Sequence, residues 1–268
     1  MSNSVSDPTG SSLGVCVAIS TLGAGLGRIR LPAPVAGLTY LILLQCPEAA
    51  DPGQRSALEA RADTRVLPLE GRGLSNSRNA ALAQADQPLL LFADDDQALD
   101  PAGIMALAQA FVQDPGLALA AGWRAERLPV RARLQRLTRL NSGRICAPEF
   151  MVRLAPIRTA GLQFDPEFGL GARYPVAEDY IFVCDILRAG LAGVSLPVVT
   201  GAHPHDSTGD NWSDPDLMRA RQAMIRRVFG PWAPLMRLAY ALKHRRRMGS
   251  WGRAFRFACL SFKTHRDQ

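Results

Sequence analysis

Three stretches of this chain, residues 14–21 (GVCVAIST), 38–45 (LTYLILLQ) and 88–93 (PLLLFA), are apolar through most of their length instead of at every second position. Successive side chains of a strand point to opposite faces, so strands of this kind have apolar partners on both sides. Further candidate strands stand at 64–68, 116–121, 149–154 and 194–199, interleaved with helical patterns at 74–85, 101–112 and 178–189. Ser75 is the expected N-cap of the first helix and Asp100, just before Pro101, that of the second; Gly190 stops the third. Strands and helices alternating in this way predict an α/β fold with a mostly parallel sheet and helices on both faces. The arginine-rich stretch 124–145 fits this frame least, and its pattern predicts a helix over 130–140. Residues 164–175 (FDPEFGLGARYP) read as a glycine- and aromatic-rich loop after a helical turn at 156–161.

The chain has 268 residues, 47% of them hydrophobic, which is enough to build a sizeable core and excludes disorder as a global description. Its five cysteines (Cys16, Cys46, Cys146, Cys184, Cys259) show no CxxC spacing, against a disulfide framework or a zinc ribbon and for a reducing compartment. No apolar run reaches the roughly 18 residues of a membrane span, and the start of the chain lacks the order of a signal peptide. The expectation is a cytoplasmic protein. The formal charge of +7 is unevenly spread: from Arg219 onward 13 basic residues face a single acid, Asp267, giving +12, and the preceding part carries −5. The expected organisation is a flexible leader (1–13), a catalytic domain (14–212) and a basic helical C-terminal extension (213–268).

Chemistry concentrates at three places. Asp94, Asp95 and Asp96 follow the strand PLLLFA directly. Three adjacent carboxylates raise one another's proton affinity unless a cation is present, and the carboxyl ends of an open parallel sheet are where ligands bind. Hard oxygen ligands there suit Mg²⁺ or Mn²⁺, which can in turn hold a diphosphate; the plain alternative is a solvated turn. Glu178 and Asp179 open a helix behind the glycine-rich loop, either as a cap or as a general base. His203 and His205 lie in HPHDSTG after the last strand; the spacing fails for an HxHxDH zinc site, and one histidine completing a divalent site fits better. Gly23, Gly25 and Gly27 imitate a dinucleotide fingerprint, but Arg28 stands where its last glycine belongs, and the second strand ends in Gln45 instead of an acid.

In order and spacing, VAISTL, GLSNSRNAALAQA, LLLFADDD, FDPEFGLGA, AEDYIFVCDILRAG and HPHDSTG resemble the family 2 glycosyltransferases of GT-A fold, especially bacterial ones of capsule or surface polysaccharide synthesis. The resemblance spans about residues 15–209. It implies a Rossmann-like GT-A domain performing inverting transfer from a nucleotide-diphosphate sugar, UDP-linked in the first instance, with Mn²⁺ or Mg²⁺. In its terms Asp94 and Asp96 hold the cation and, with Asp95, border the donor's ribose and phosphates. Asp179 is the base, with Glu178 supporting it or contacting the acceptor, and His203 closes the metal site with His205 in reserve. Arg78 faces the nucleotide, and Ser20, Thr21 and Gln45 border its base. Two positions depart from the family pattern: Gln45 stands where aspartate is common, and Ala177 where glycine is usual.

The extension mixes aromatic and apolar residues with arginines (WAPLMRLAYALKHRRR, SWGRAFRFACLSFK), as helices lying on an anionic membrane do. Helices packed on the acidic body, or nucleic-acid binding, are the other readings, and no recognised nucleic-acid module accompanies the tail. The expected partners are a nucleotide-sugar donor, a glycan or lipid-linked acceptor and a membrane face. The alternatives in function are a metal-dependent nucleotidyltransferase and a non-catalytic membrane- or polyanion-binding module.

Overall fold

A computed structural model describes residues 13–204 and 208–260. Among these, one mixed sheet contains β1 (Val15–Leu22), β2 (Leu38–Gln45), β3 (Thr64–Leu69), β4 (Leu89–Asp94), β5 (Ala98–Leu99), β6 (Leu117–Arg124), β7 (Gln135–Arg136), β8 (Phe150–Arg153) and β9 (Ala192–Ala202). The helices are α1 (Pro52–Glu59), α2 (Leu74–Gln84), α3 (Pro101–Gln113), α4 (Leu154–Thr159), α5 (Glu178–Arg188), α6 (Pro215–Phe229), α7 (Ala233–His244) and α8 (Trp251–Cys259). The strand order is β3-β2-β1-β4-β8-β6-β9-β5, with β7 on β9. Strands β1 to β4 pair in parallel and β6 runs parallel to β9, whereas β8 is antiparallel to both β4 and β6.

The apolar runs divide between two layers. Val15, Val17 and Ile19 of β1 join Ile104, Leu107 and Phe111 of α3 on one face. Cys16 and Ala18 join Leu82 of α2, Ile157 of α4 and Phe182 and Ile186 of α5 on the other. Burying each large side chain of this kind contributes about 1.5–3 kcal/mol, so removing α2, α3, α4 or α5 would leave part of a strand face wet. A third cluster, with Ile181 and Cys184 of α5, Met218, Ile225 and Val228 of α6, Ala241 of α7 and Phe257 of α8, packs the C-terminal helices against the sheet domain. No helix among the described residues is long and apolar enough to cross a membrane.

Three helix starts follow one chemical rule: Asp51, Asp100 and Asp214 each accept hydrogen bonds from backbone N–H groups of the first turn, and each is followed by proline. Other expectations are corrected. Ser75 is no N-cap: α2 begins at Leu74 after Gly73, and the Ser75 hydroxyl donates to the carbonyl of Phe168 instead (2.6 Å). No helix forms over 130–140; the segment is loop, with β7 paired to β9. Leu137 is buried, but Val130, Leu134 and Leu140 are exposed, so the apolar residues share no buried face, and Pro129 precedes them. Strand β9 continues to Ala202, because its far half gains partners in β5 and β6. Of the expected leader, residues 1–12 lie outside the described residues.

Helix α3 lies against β9 where it has no side chain, at Gly103: a Cβ there would overlap the carbonyl oxygen of Val199, which is fixed backbone. Gly103→Ala is therefore expected to destabilise the protein by about 1–3 kcal/mol, the usual cost of overpacking, despite alanine's better helix propensity; urea denaturation measures it.

Candidate active site

The parallel strands end on one edge of the sheet, and that edge gathers the polar residues. Ser20 of β1 lies in register with Asp94 of β4. Gln45 ends β2, Arg124 ends β6 and His203 follows β9. Because β8 runs the other way, its start brings Glu149 to the same edge. Helix α2 approaches from behind with four polar side chains, each with a separate partner. Ser75 holds the loop carbonyl of Phe168, the Ser77 hydroxyl donates to that of Ser20 (2.8 Å), and Asn79 bonds both the N–H and the carbonyl of Phe164. The fourth is Arg78.

Arg78 is fully enclosed, with 1% of its surface exposed. Its Nη1 donates to Glu178 Oε1 (3.1 Å) and to Asp179 Oδ1, and its Nη2 donates to Asp94 Oδ1 (3.2 Å). Asp179 Oδ2 accepts from the N–H of Ala147 (3.2 Å). Asp94 is oriented by Gln97, whose Nε2 donates to Asp94 Oδ2 (3.0 Å) and whose Oε1 accepts from the Asp94 N–H (2.9 Å). One guanidinium thus faces three carboxylates, an imbalance of two negative charges where water is scarce. Burial, opposed by Arg78 and reinforced by Glu178 and Asp94, pushes the Asp179 carboxyl from its ordinary 3.8 up to about 8. Burial also raises Glu178, again against the pull of Arg78. Burial works against the charge of Arg78, but Asp179, Asp94 and Glu178 outweigh it, so the guanidinium stays protonated. The backbone shares the strain: Ala177, which precedes α5, is left-handed (φ +86°), a conformation that glycine adopts freely and alanine does not.

The second and third aspartates do different things. Asp95 is buried and accepts from Thr21 Oγ1 (2.6 Å) and Arg28 Nη2 (2.9 Å), so it ties β1 to the turn after it. A Cβ at Gly25 would overlap the Asp95 carboxylate, which explains that glycine without any dinucleotide. Asp96 is more open and sets Oδ1 3.4 Å from His203 Nε2. On the other side of the ring, Arg124 Nη1 lies 3.2 Å from His203 Nδ1. A guanidinium has donors only, so Nδ1 accepts and the proton of the neutral imidazole sits on Nε2, facing Asp96. Arg124 rests on Glu149, a completely buried acid whose Oε1 accepts the Arg124 N–H (3.2 Å) and whose Oε2 accepts that of Cys146 (3.2 Å).

The structure thus brings Arg78, Asp94, Glu178 and Asp179 together, and Asp96 with His203 beside them. Ser20 takes the hydroxyl of Ser77, and Thr21 and Asp95 are bound to each other. Gln45 points both ends of its amide at Gly73, donating to its carbonyl (3.0 Å) and accepting its N–H (2.9 Å), so a nucleobase edge could use it only by displacing that pair. His205 lies outside the described residues. Four contributors escaped sequence reasoning: Arg28, Gln97, Arg124 and Glu149. Gln97 carries a local signal, three residues after Asp94; Arg124 and Glu149 carry none, since the reversal of β8 makes them neighbours.

Among the described residues no three His, Cys, Asp or Glu side chains converge as a metal cluster. The donors nevertheless fit a hard divalent cation: two carboxylates from one turn, an imidazole and an uncompensated negative charge. His203 can serve through Nε2 only once the proton moves to Nδ1, which then no longer accepts from Arg124.

A group whose folded proton affinity is raised stabilises the fold below its unfolded value and loses that contribution as pH climbs through its folded value. Asp179 should therefore make the protein less stable from about pH 4 to about pH 8. Asp179→Asn is expected to flatten that decline in urea denaturation across the range; an unchanged slope would mean that Asp179 is ionised throughout.

Residues 52–160 match the family model described as glycosyl transferase family 2. No curated protein matches the chain. Among solved structures, S. aureus TarS 1-349 in complex with UDP is similar at 18% identity, covering 89% of this chain and 72% of that chain with a TM-score of 0.56. The mannosyltransferase PcManGT from Pyrobaculum calidifontis, in complex with GDP-Man and Mn²⁺, is similar at 16% identity over 96% of this chain and 77% of that one, TM-score 0.60. Glucosyl-3-phosphoglycerate synthase from Mycobacterium tuberculosis, in complex with Mn²⁺, UDP and glucosyl-3-phosphoglycerate, is similar at 14% over 80% of each chain, TM-score 0.52. Identities this low speak for the fold, a GT-A fold, and the family model speaks only for residues 52–160, the segment that it matches.

Proposed function

We propose that this protein is an inverting glycosyltransferase that moves a sugar from a nucleotide-diphosphate donor, UDP-linked, to a hydroxyl of a glycan or lipid-linked acceptor in bacterial surface polysaccharide synthesis. The observation that carries the reading is the enclosed group of Arg78 with Asp94, Glu178 and Asp179 at the carboxyl edge, next to Asp96 and His203. Similar solved structures that hold UDP, GDP-Man or Mn²⁺ support it.

Asp179 is the base. The acceptor oxygen bonds to the anomeric carbon, the bond from that carbon to the diphosphate oxygen breaks with its electron pair leaving on the nucleotide, and the acceptor's proton passes to the carboxylate. Arg78 fixes the orientation of Asp179 and, through Asp94, ties the base to the donor side. Glu178 shares Arg78 and supports its neighbour. Asp94, Asp96 and His203 would hold a divalent cation, which when bound would supply positive charge against the departing diphosphate. Ser20, Thr21, Gln45 and Asp95 shape the nucleotide side of the edge.

Calorimetry with a panel of nucleotide sugars, with and without Mn²⁺, is the direct test. Asp96→Ala is expected to abolish metal-dependent donor binding; binding that persisted unchanged would sink the metal assignment. Asp179→Asn should lower kcat by about 10²–10⁴-fold, the usual contribution of a general base, with donor affinity kept. Release of nucleoside diphosphate from a nucleotide sugar is the expected product; pyrophosphate release from a nucleoside triphosphate would establish a nucleotidyltransferase instead.

A further inference from the structure

Helices α7 and α8 form an antiparallel pair held on its inner side. The rings of Tyr240 and Phe257 stack at 5.4 Å, Arg237 donates to the carbonyl of Phe257 (3.0 Å), and Gln222 of α6 donates to the same oxygen (2.8 Å). A helix that only packs on a body is polar outside. These two are apolar outside as well. On α7, Leu235, Leu238 and Leu242 recur at spacings of three and four and are 48–58% exposed. On α8, Trp251 and Phe255 stand four apart and are 68% and 66% exposed. Lys243, Arg245, Arg246, Arg253 and Arg256 surround these stripes, all exposed, and no acid occurs from Arg219 to Leu260.

We propose that the outer face of α7 and α8 docks on an anionic lipid bilayer, lying in the interfacial plane. Charge decides the occupant. A second copy of this chain docked by the same face would set two arrays of arginine and lysine against each other with no acid in that face to pair them. A bilayer surface with acidic headgroups accepts both components, the leucines and aromatic rings below the headgroups and the guanidinium groups among the phosphates. The face is joined to the active-site edge: beyond His203 the chain reaches Trp212, which stacks on His244 (4.9 Å) of α7. A cavity of about 470 Å³ between that segment and the hairpin is lined by Trp212, Arg247 and Arg253. The inference deepens the proposed function, resting on it only for the reason a lipid-linked acceptor makes such docking useful.

Flotation of the full chain with vesicles tests the proposal. The chain is expected to float with vesicles of mixed phosphatidylcholine and phosphatidylglycerol and not with phosphatidylcholine alone. The combined variant Leu238→Ser, Leu242→Ser, Trp251→Ser and Phe255→Ser should bind about tenfold less or weaker still, with an unchanged circular dichroism spectrum because every replaced side chain is exposed. Arg253→Gln with Arg256→Gln, which leaves all apolar contacts intact, should weaken binding and its salt dependence. Equal binding by the serine variant would reduce the effect to polyanion attraction and overturn the proposal. So would a dimer in the absence of lipid that the serine variant converts to monomer. Metal-dependent nucleotide-sugar binding, measured without vesicles, should be the same in all these proteins, so a failed surface and a failed active-site reading show up in different experiments.

Discussion

A single buried guanidinium, that of Arg78, organises the active-site edge. It draws Asp94 from the end of β4 and Glu178 and Asp179 from the start of α5 into contact, and so locks together strand, helix and the loop between them. Removing a charged side chain from water is costly, and partners repay that cost only with good geometry. Here three partners do so, and they overshoot. A proton on Asp179, whose carboxyl is pushed up to about 8, relieves the excess negative charge. Structural cohesion and the raised proton affinity of Asp179 thus draw on the same imbalance.

The reversal of β8 is the other constraint. In a purely parallel sheet every strand would start at the far edge, and Glu149 would be remote from the site. Running antiparallel between β4 and β6, β8 delivers this fully buried acid under Arg124, which in turn touches His203. The contact decides which nitrogen of His203 carries the proton, a detail that separates a resting imidazole from a cation ligand.

The C-terminal helices complete a division of labour announced by the uneven charge. Helix α6 belongs to the body, packed on α5 and pinned by Arg227 to Asp165 and Asp185. Beyond it, α7 and α8 pack inward with one side and offer leucine, tryptophan, phenylalanine and arginine with the other. The basic residues are therefore of two kinds: those that fasten the extension and those that surround an apolar face.

The sequence by itself determined the layers. Unbroken apolar runs require two covered faces, aspartate before proline starts helices, and acids placed directly after a buried strand must sit at its carboxyl end; these are local rules, so the position of Asp94 and Asp96 at that edge was legible in advance, whereas Arg78 was singled out only through the resemblance. The helix expected at 130–140 failed because the segment gives only Leu137 of its leucines to the core and pairs as β7 with β9, which only packing reveals. Tertiary structure alone decided that Arg78 is shared by three acids, that Asp95 turns away to Thr21 and Arg28, that Gln45 is committed to Gly73, and that Glu149 supports Arg124. The reason is physical: a side chain's charge and hydrogen-bonding capacity are properties of its residue type, but the partner that satisfies them is whichever group the strand order and direction bring within about 3 Å.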